Sequence, residues 1–321
     1  VDTLSDCILN PVFPEQYFER LKNQLLTGLA IRAQNTGDMA SITFDRLLFP
    51  GHPYGYPEDG FTETVLNITR QDLVDFHRRQ YGPTNMVMVV VGAVTAENVF
   101  DLIENKLGDW KNPQLNTLIS YPQIHPLEKT LREHIPLAGK SQADIVMGTL
   151  GPKRNVPEYL AASLGNNILG QFGMMGRIGD AVREKAGLAY YASTSVNSWI
   201  ESGSWEVSAG VNPANMDKAI KLIIEELERF ITEPVLQSEL EDSQANYIGR
   251  LPLSLESNSG VANSILNLER FNLGLDYFQK YPDLVRDVTP QQILKAAQKY
   301  IDPKKLVIAS AGPGSGKVKG S

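Results

Sequence analysis

The chain has 321 residues, 42% of them hydrophobic and 21% charged, which is the length of about two domains with a globular rather than a disordered composition. Its formal net charge is −7, from 30 Lys and Arg against 37 Asp and Glu with no basic stripe, so nucleic acid is not an expected partner. The longest apolar run, residues 86–91, is far short of the roughly 20 residues that a membrane helix needs; no membrane contact or signal peptide is expected, and the compartment is left unassigned.

Cys7 is the single cysteine, which excludes an intrachain disulfide and a thiolate zinc cluster. It is expected to be a small buried apolar residue. Pro11 and Val12 introduce a charged amphipathic helix over 15–29. A second helix opens at Thr69, a good N-cap, and carries Leu73, Phe76 and Tyr81 at helical spacing until Pro83 stops it. The run 86–91 that follows reads as a buried strand. Residues 95–110 form the next helix, with Thr95 as N-cap and Val99, Ile103 and Leu107 on one face. Residues 111–132, with Pro113, Pro122 and Pro126 and no periodicity, read as an extended linker.

Beyond the linker, 143–150 reads as a strand and 157–169 as a helix with Leu160, Leu164 and Ile168 aligned. Gly165, Gly170 and Gly173 loosen its end, and these glycines with Gly176 do not follow a strand in a phosphate-binding pattern. A helix over 177–185 stops at Gly187. Strands 188–197 and 204–211 form a hairpin, and the helix 216–231 turns Ala219, Leu222, Ile223 and Leu227 inward. Pro234 and Val235 introduce a second charged helix over 238–250. The last helix opens at Thr289, with Ile293, Ala296, Ala297 and Tyr300 aligned, before a closing strand. The tail 314–321 is expected to be disordered.

Residues 69–92 line up without gaps on 289–312, an offset of 220 positions that matches Thr69 with Thr289, Gln71 with Gln291, Leu73 with Ile293, Pro83 with Pro303 and Gly92 with Gly312. Pro11-Val12 and Pro234-Val235 repeat at an offset of 223. The chain therefore divides into residues 1–110, the C-terminal part of a first module, the linker 111–132, and a second module over 133–313. The second module has about 100 residues of its own before Pro234 and the first only ten before Pro11, so equal modules imply that roughly 90 are missing from the first. The expected fold class is α+β: two related two-layer α/β sandwich modules, the first incomplete.

Two motifs carry a resemblance. Val182-Arg183-Glu184-Lys185-Ala186-Gly187-Leu188-Ala189-Tyr190, together with His52-Pro53-Tyr54-Gly55, resembles the pitrilysin, insulinase and mitochondrial processing peptidase family over essentially the whole chain. The resemblance implies repeated α+β modules around a peptide-binding chamber. It also assigns Arg183 and Tyr190 to substrate binding and to stabilising the oxyanion formed on a peptide carbonyl, chemistry that suits two fixed donors. The glycine stretch is then expected to act as a hinge or to touch substrate.

The zinc half of such a site is missing. The family's inverted His-x-x-Glu-His motif is absent, because no two of His52, His77, His125 and His134 stand three or four apart. The family's third ligand lies in a helix reading Glu-Arg-Glu, six residues, Glu. Phe18-Glu19-Arg20-Leu21-Lys22-Asn23-Gln24-Leu25-Leu26-Thr27-Gly28 matches that helix with Leu21 in place of the orienting Glu and Gly28 in place of the liganding one. No cofactor is therefore expected in this chain, zinc being expected on a partner subunit or a missing segment. The leading expectation is an Arg/Tyr-bearing subunit that binds a peptide substrate and pairs with a zinc-bearing peptidase subunit as a heterodimer. A self-sufficient zinc metalloendopeptidase with ligands upstream, and a non-peptidase assembly or peptide-binding module, are the alternatives.

Overall fold

The computed structural model describes residues 1–115, 120–171 and 176–314, so Gly173 and the tail beyond Gly314 lie outside the described residues. The helices and strands in chain order are α1 (Asp2–Leu9), α2 (Glu15–Arg32), α3 (Thr36–Leu48), α4 (Thr62–Asn67), α5 (Arg70–Gln80), α6 (Ala96–Leu107), β1 (Leu131–Pro136), β2 (Ala143–Gly151), α7 (Tyr159–Asn166), α8 (Arg177–Gly179), β3 (Ala189–Ser198), β4 (Gly203–Val211), α9 (Met216–Thr232), α10 (Gln237–Ser254), α11 (Asn258–Arg270), α12 (Tyr277–Arg286), α13 (Pro290–Tyr300) and β5 (Val307–Gly312). Among the described residues no helix is long and apolar enough to cross a membrane.

Two compact units interleave along the chain. One comprises Val1–Ile31, Glu58–Tyr121 and Leu253–Leu275; the other comprises Arg32–Pro57, Pro122–Pro252 and Asp276–Ser321. Residues 32–57, which precede the linker in sequence, thus belong to the second unit.

The second unit is built on a five-stranded sheet of order β1-β5-β2-β4-β3, in which only the β1–β5 pair is parallel. Strand alternation sorts its side chains onto two faces. Ile145, Met147, Trp205, Val207 and Ala209 pack with Leu164 of α7, Ile223, Leu227 and Phe230 of α9, and Ile293 and Ala297 of α13. Val146, Val307, Ala309 and Ala311 face the other way, onto Ala40, Phe44 and Leu48 of α3 and onto Phe49. The spacing of four between those α3 residues makes one apolar stripe, and burying Phe44 and Leu48 contributes about 2 kcal/mol each. Asn35 caps α3 by accepting the Asp38 N–H at 3.0 Å.

In the first unit the repeat survives as local structure. α5 and α13 open with the same reciprocal cap: Thr69 and Asp72 exchange backbone–side-chain hydrogen bonds, as do Thr289 and Gln292. The strands after them diverge. β5 lies in mid-sheet and is buried throughout, whereas residues 86–91, expected to be a buried strand, join no β-ladder among the described residues. Val87 and Val90 there are about half exposed. A ladder needs a partner strand, and the described elements of this unit are helical. Cys7 also departs from expectation: it is exposed, because in α1 only Ser5 turns inward.

Candidate functional site

Arg183 and Tyr190 lie on either side of a tightly closed helix end. α8 continues as a π-helical segment, Asp180–Lys185. It is terminated by Gly187 at φ +64, with the Leu188 N–H donating to the Val182 carbonyl and the Gly187 N–H to the Arg183 carbonyl, both at 3.0 Å. That seven-to-one and six-to-two pair is one residue wider than a Schellman closure, in keeping with the π-helical turn before it, and like that closure it turns on a left-handed residue, Gly187. Val182 is fully buried and Leu188 packs on the same core, so the closure is anchored from inside. Arg183 is left half-exposed in the final turn, with its Nε 3.7 Å from Glu184 Oε1.

β3 begins immediately afterwards with a bulge. Ala189 is opposite Val211 and Tyr191 is opposite Gly210, so one step along β4 corresponds to two along β3, and Tyr190 is the extra residue without a cross-strand partner. Tyr190 is 57% exposed. β3 is an edge strand with β4 on one side only. Arg183 thus stands in the last turn before the closure and Tyr190 at the start of the edge strand, seven residues further on; among the described residues Arg183 pairs with Glu184.

Residues not singled out from sequence gather beside the bulge, around Tyr191. The Tyr191 hydroxyl donates to Asp144 Oδ1 at 2.7 Å, Gln142 Nε2 donates to the same oxygen at 2.8 Å, and Thr36 Oγ1, at the start of α3, donates to Asp144 Oδ2. Asp144 itself is buried. Burial first, then the hydrogen bond and charge of Asp144, push the Tyr191 phenol above its ordinary range, so it remains a donor at neutral pH. Gly210 was the available signal, since a glycine within an alternating strand marks a close approach. A Cβ there would stand 2.4 Å from Tyr191 Cε1.

Further along, β3 and β4 share a polar strip. Ser193 is opposite Ser208, Ser195 is opposite Glu206 and Asn197 is opposite Ser204. Ser195 Oγ and Asn197 Nδ2 each donate to Glu206 Oε1 at 2.9 Å. Burial raises the Glu206 carboxyl above its ordinary range, against the opposing pull of these hydrogen bonds. Asp45 of α3 is pushed up to about 7, by burial and then by the charge of Glu206. An edge strand with hydroxyls on its polar face can take an extended peptide by strand addition, with a guanidinium and a phenol at one end as donors to carbonyl oxygens.

The other motif residues have structural roles. His52 caps the short turn Pro53–Gly55, its Nδ1 accepting the Tyr54 N–H at 3.1 Å. Tyr54 packs on Phe49 and Trp199 and accepts the Glu201 N–H at 3.3 Å. This ties residues 52–55 to the β3–β4 connector. His77 Nε2 lies 2.7 Å from the Ile8 carbonyl and His134 Nδ1 lies 2.9 Å from Ser310 Oγ. Gly165 and Gly176 are places of close packing, where a Cβ would stand 2.8 Å from Ile293 Cγ2 and 2.3 Å from Gly170 Cα.

The α2 helix does not fit a zinc ion at the positions where the resemblance expects carboxylates. Leu21 is exposed, and Gly28 offers no donor atom and has open space around it. Zinc sites are made of nitrogen, sulfur and carboxylate oxygen donors, which neither residue supplies.

A family profile described as "Peptidase M16 inactive domain" matches residues 67–247. An uncharacterized zinc protease of Mycobacterium leprae is 26% identical over 98% of this chain and 70% of its own length. A non-peptidase homolog of Helicobacter pylori is 21% identical over 96% of this chain and 71% of its own. Among solved structures, a peptidase M16 inactive domain from Pseudomonas fluorescens superposes with a TM-score of 0.87 at 27% identity, covering 96% of this chain and 73% of that one. The chain spans 58 to 70% of the length of the curated relatives it matches first.

Proposed function

The chain belongs to the peptidase M16 family, and from that premise we propose that it is a peptide-binding subunit that presents Arg183 and Tyr190 to the active site of a zinc-bearing partner subunit. The observation that carries this reading is the bulge: it frees Tyr190 from cross-strand pairing at a sheet edge, just past the closed helix end that bears Arg183. Supporting it, Leu21 and Gly28 stand where the family resemblance expects carboxylates.

Bound peptide lies along β3 in this reading, held mainly through its backbone, so that side-chain preference is broad. The Arg183 guanidinium presents a planar fork of donors, and together with the Tyr190 hydroxyl it donates to the carbonyl oxygen on which negative charge develops. Donors fixed before the reaction stabilise that charge without a reorganisation cost.

The test uses the chain co-purified with its zinc-bearing partner and a fluorogenic unstructured peptide. Arg183→Ala and Tyr190→Phe are each expected to lower turnover by about a hundredfold, the range for losing one oxyanion donor, with the melting temperature unchanged. Unaltered turnover in both variants overturns the reading. The name of the Helicobacter pylori relative favours a second reading, a module that binds peptide without turnover. In that case both variants weaken peptide binding, and no partner confers peptidase activity that depends on them.

A further inference from the structure

Asp144, Gly210 and Tyr191 stand at one level of the sheet on three neighbouring strands, Asp144 opposite Gly210 on β2 and β4, and Gly210 opposite Tyr191 on β4 and β3. The Tyr191 ring crosses the middle strand over Gly210, the position with no Cβ to obstruct it, and its hydroxyl meets Asp144 two strands away. The carboxylate that receives it is buried and is also held by Gln142 and Thr36. We propose that Tyr191 and Asp144 form a positioning clamp that selects the bulged register of β3 and thereby presents Tyr190 at the sheet edge.

The argument rests on the period of a strand. Leu188 and Ala189 pack on the core and hold Ala189 opposite Val211; from that fixed point an unbulged strand would put Tyr190 opposite Gly210 and Tyr191 opposite Ala209, on the other face, because a one-residue slip inverts every side chain. With Ala189 so held, the bond to Asp144 forms only when Tyr190 is the extra residue. The clamp and the bulge are thus one choice, and the clamp acts through Tyr190 rather than on substrate. Gln142 and Thr36 fix the receiving carboxylate, so the ring has a single place to dock. The functional meaning of the clamp rests on the proposed role of Tyr190; the clamp itself does not.

The experiment labels the full chain with 3-fluorotyrosine, assigns the Tyr190 resonance by its loss in Tyr190→Phe, and follows it by fluorine NMR in Tyr191→Phe and Gly210→Ala. Tyr191→Phe keeps the ring and removes only the hydroxyl, and Gly210→Ala obstructs the crossing. The Tyr190 resonance is expected to be single and narrow in the parent, and shifted or split in either variant. Affinity for a fluorescent unstructured peptide is expected to fall by about threefold to tenfold in Tyr191→Phe, the size of one lost hydrogen bond. A Tyr190 resonance unmoved by Tyr191→Phe in a folded protein overturns the clamp, even if Gly210→Ala proves unstable. If the resonance moves while Tyr190→Phe leaves peptide affinity and turnover intact, the clamp stands and the proposed role of Tyr190 falls.

Discussion

Tyr190 and Tyr191 are adjacent in sequence and chemically identical, yet one is an unpaired bulge residue and the other is bonded to a buried carboxylate. The difference lies entirely in what β4 and β2 place opposite them, which no local pattern in β3 encodes. Asp45 shows the same dependence on context. Its carboxyl, ordinarily near 3.8, is raised to about 7 by burial beside Glu206. A raised carboxyl binds its proton more tightly in the folded than in the unfolded chain, so its contribution to stability is complete below about pH 4 and is lost as pH rises through about 7. Asp45→Asn should remove that pH dependence. Denaturant midpoints are expected to show the variant more stable than the parent at pH 8 by at least about 1 kcal/mol, with the gap closing towards pH 4; equal gaps at both values would refute the assignment.

At the level of elements, much of the second unit was legible because its signals are local. The strand over 143–150, the hairpin of 188–197 and 204–211, the stop at Gly187 and the Thr289 cap all appear within a residue or two of their expected places. Gly187 is the clearest, since a left-handed closure leaves a direct mark on residue type. Gly187→Ala is expected to lower unfolding free energy by about 1 kcal/mol and, by loosening the turn between Arg183 and Tyr190, to weaken peptide binding as well. A variant as stable as the parent would contradict the role given to the closure. What was not legible depends on distant partners. α3 and residues 52–55 precede the linker but pack against β5, β2 and the β3–β4 connector. The run 86–91 has the composition of a buried strand and no ladder partner among the described residues. The bulge was hidden because Tyr-Tyr reads as ordinary alternation, and only Gly210 hinted at the ring that crosses it.

Across the whole molecule, membership of the M16 family and the α/β fold are shown by the matched family profile and the superposition on the Pseudomonas fluorescens domain. The relatives carry both zinc-protease and non-peptidase names, and the fold by itself does not choose between them. In the proposed reading Arg183 and Tyr190 are the donors to substrate, and Leu21 and Gly28 stand in α2 where the family resemblance expects carboxylates. The central claim is that this polypeptide serves a metal site it does not itself contain. The measurement that tests it most directly is the zinc-to-protein ratio of the polypeptide from the complete reading frame, purified without chelator and without added metal. The account predicts a ratio near zero for the isolated subunit; a ratio near one would place a zinc site in this subunit and contradict it.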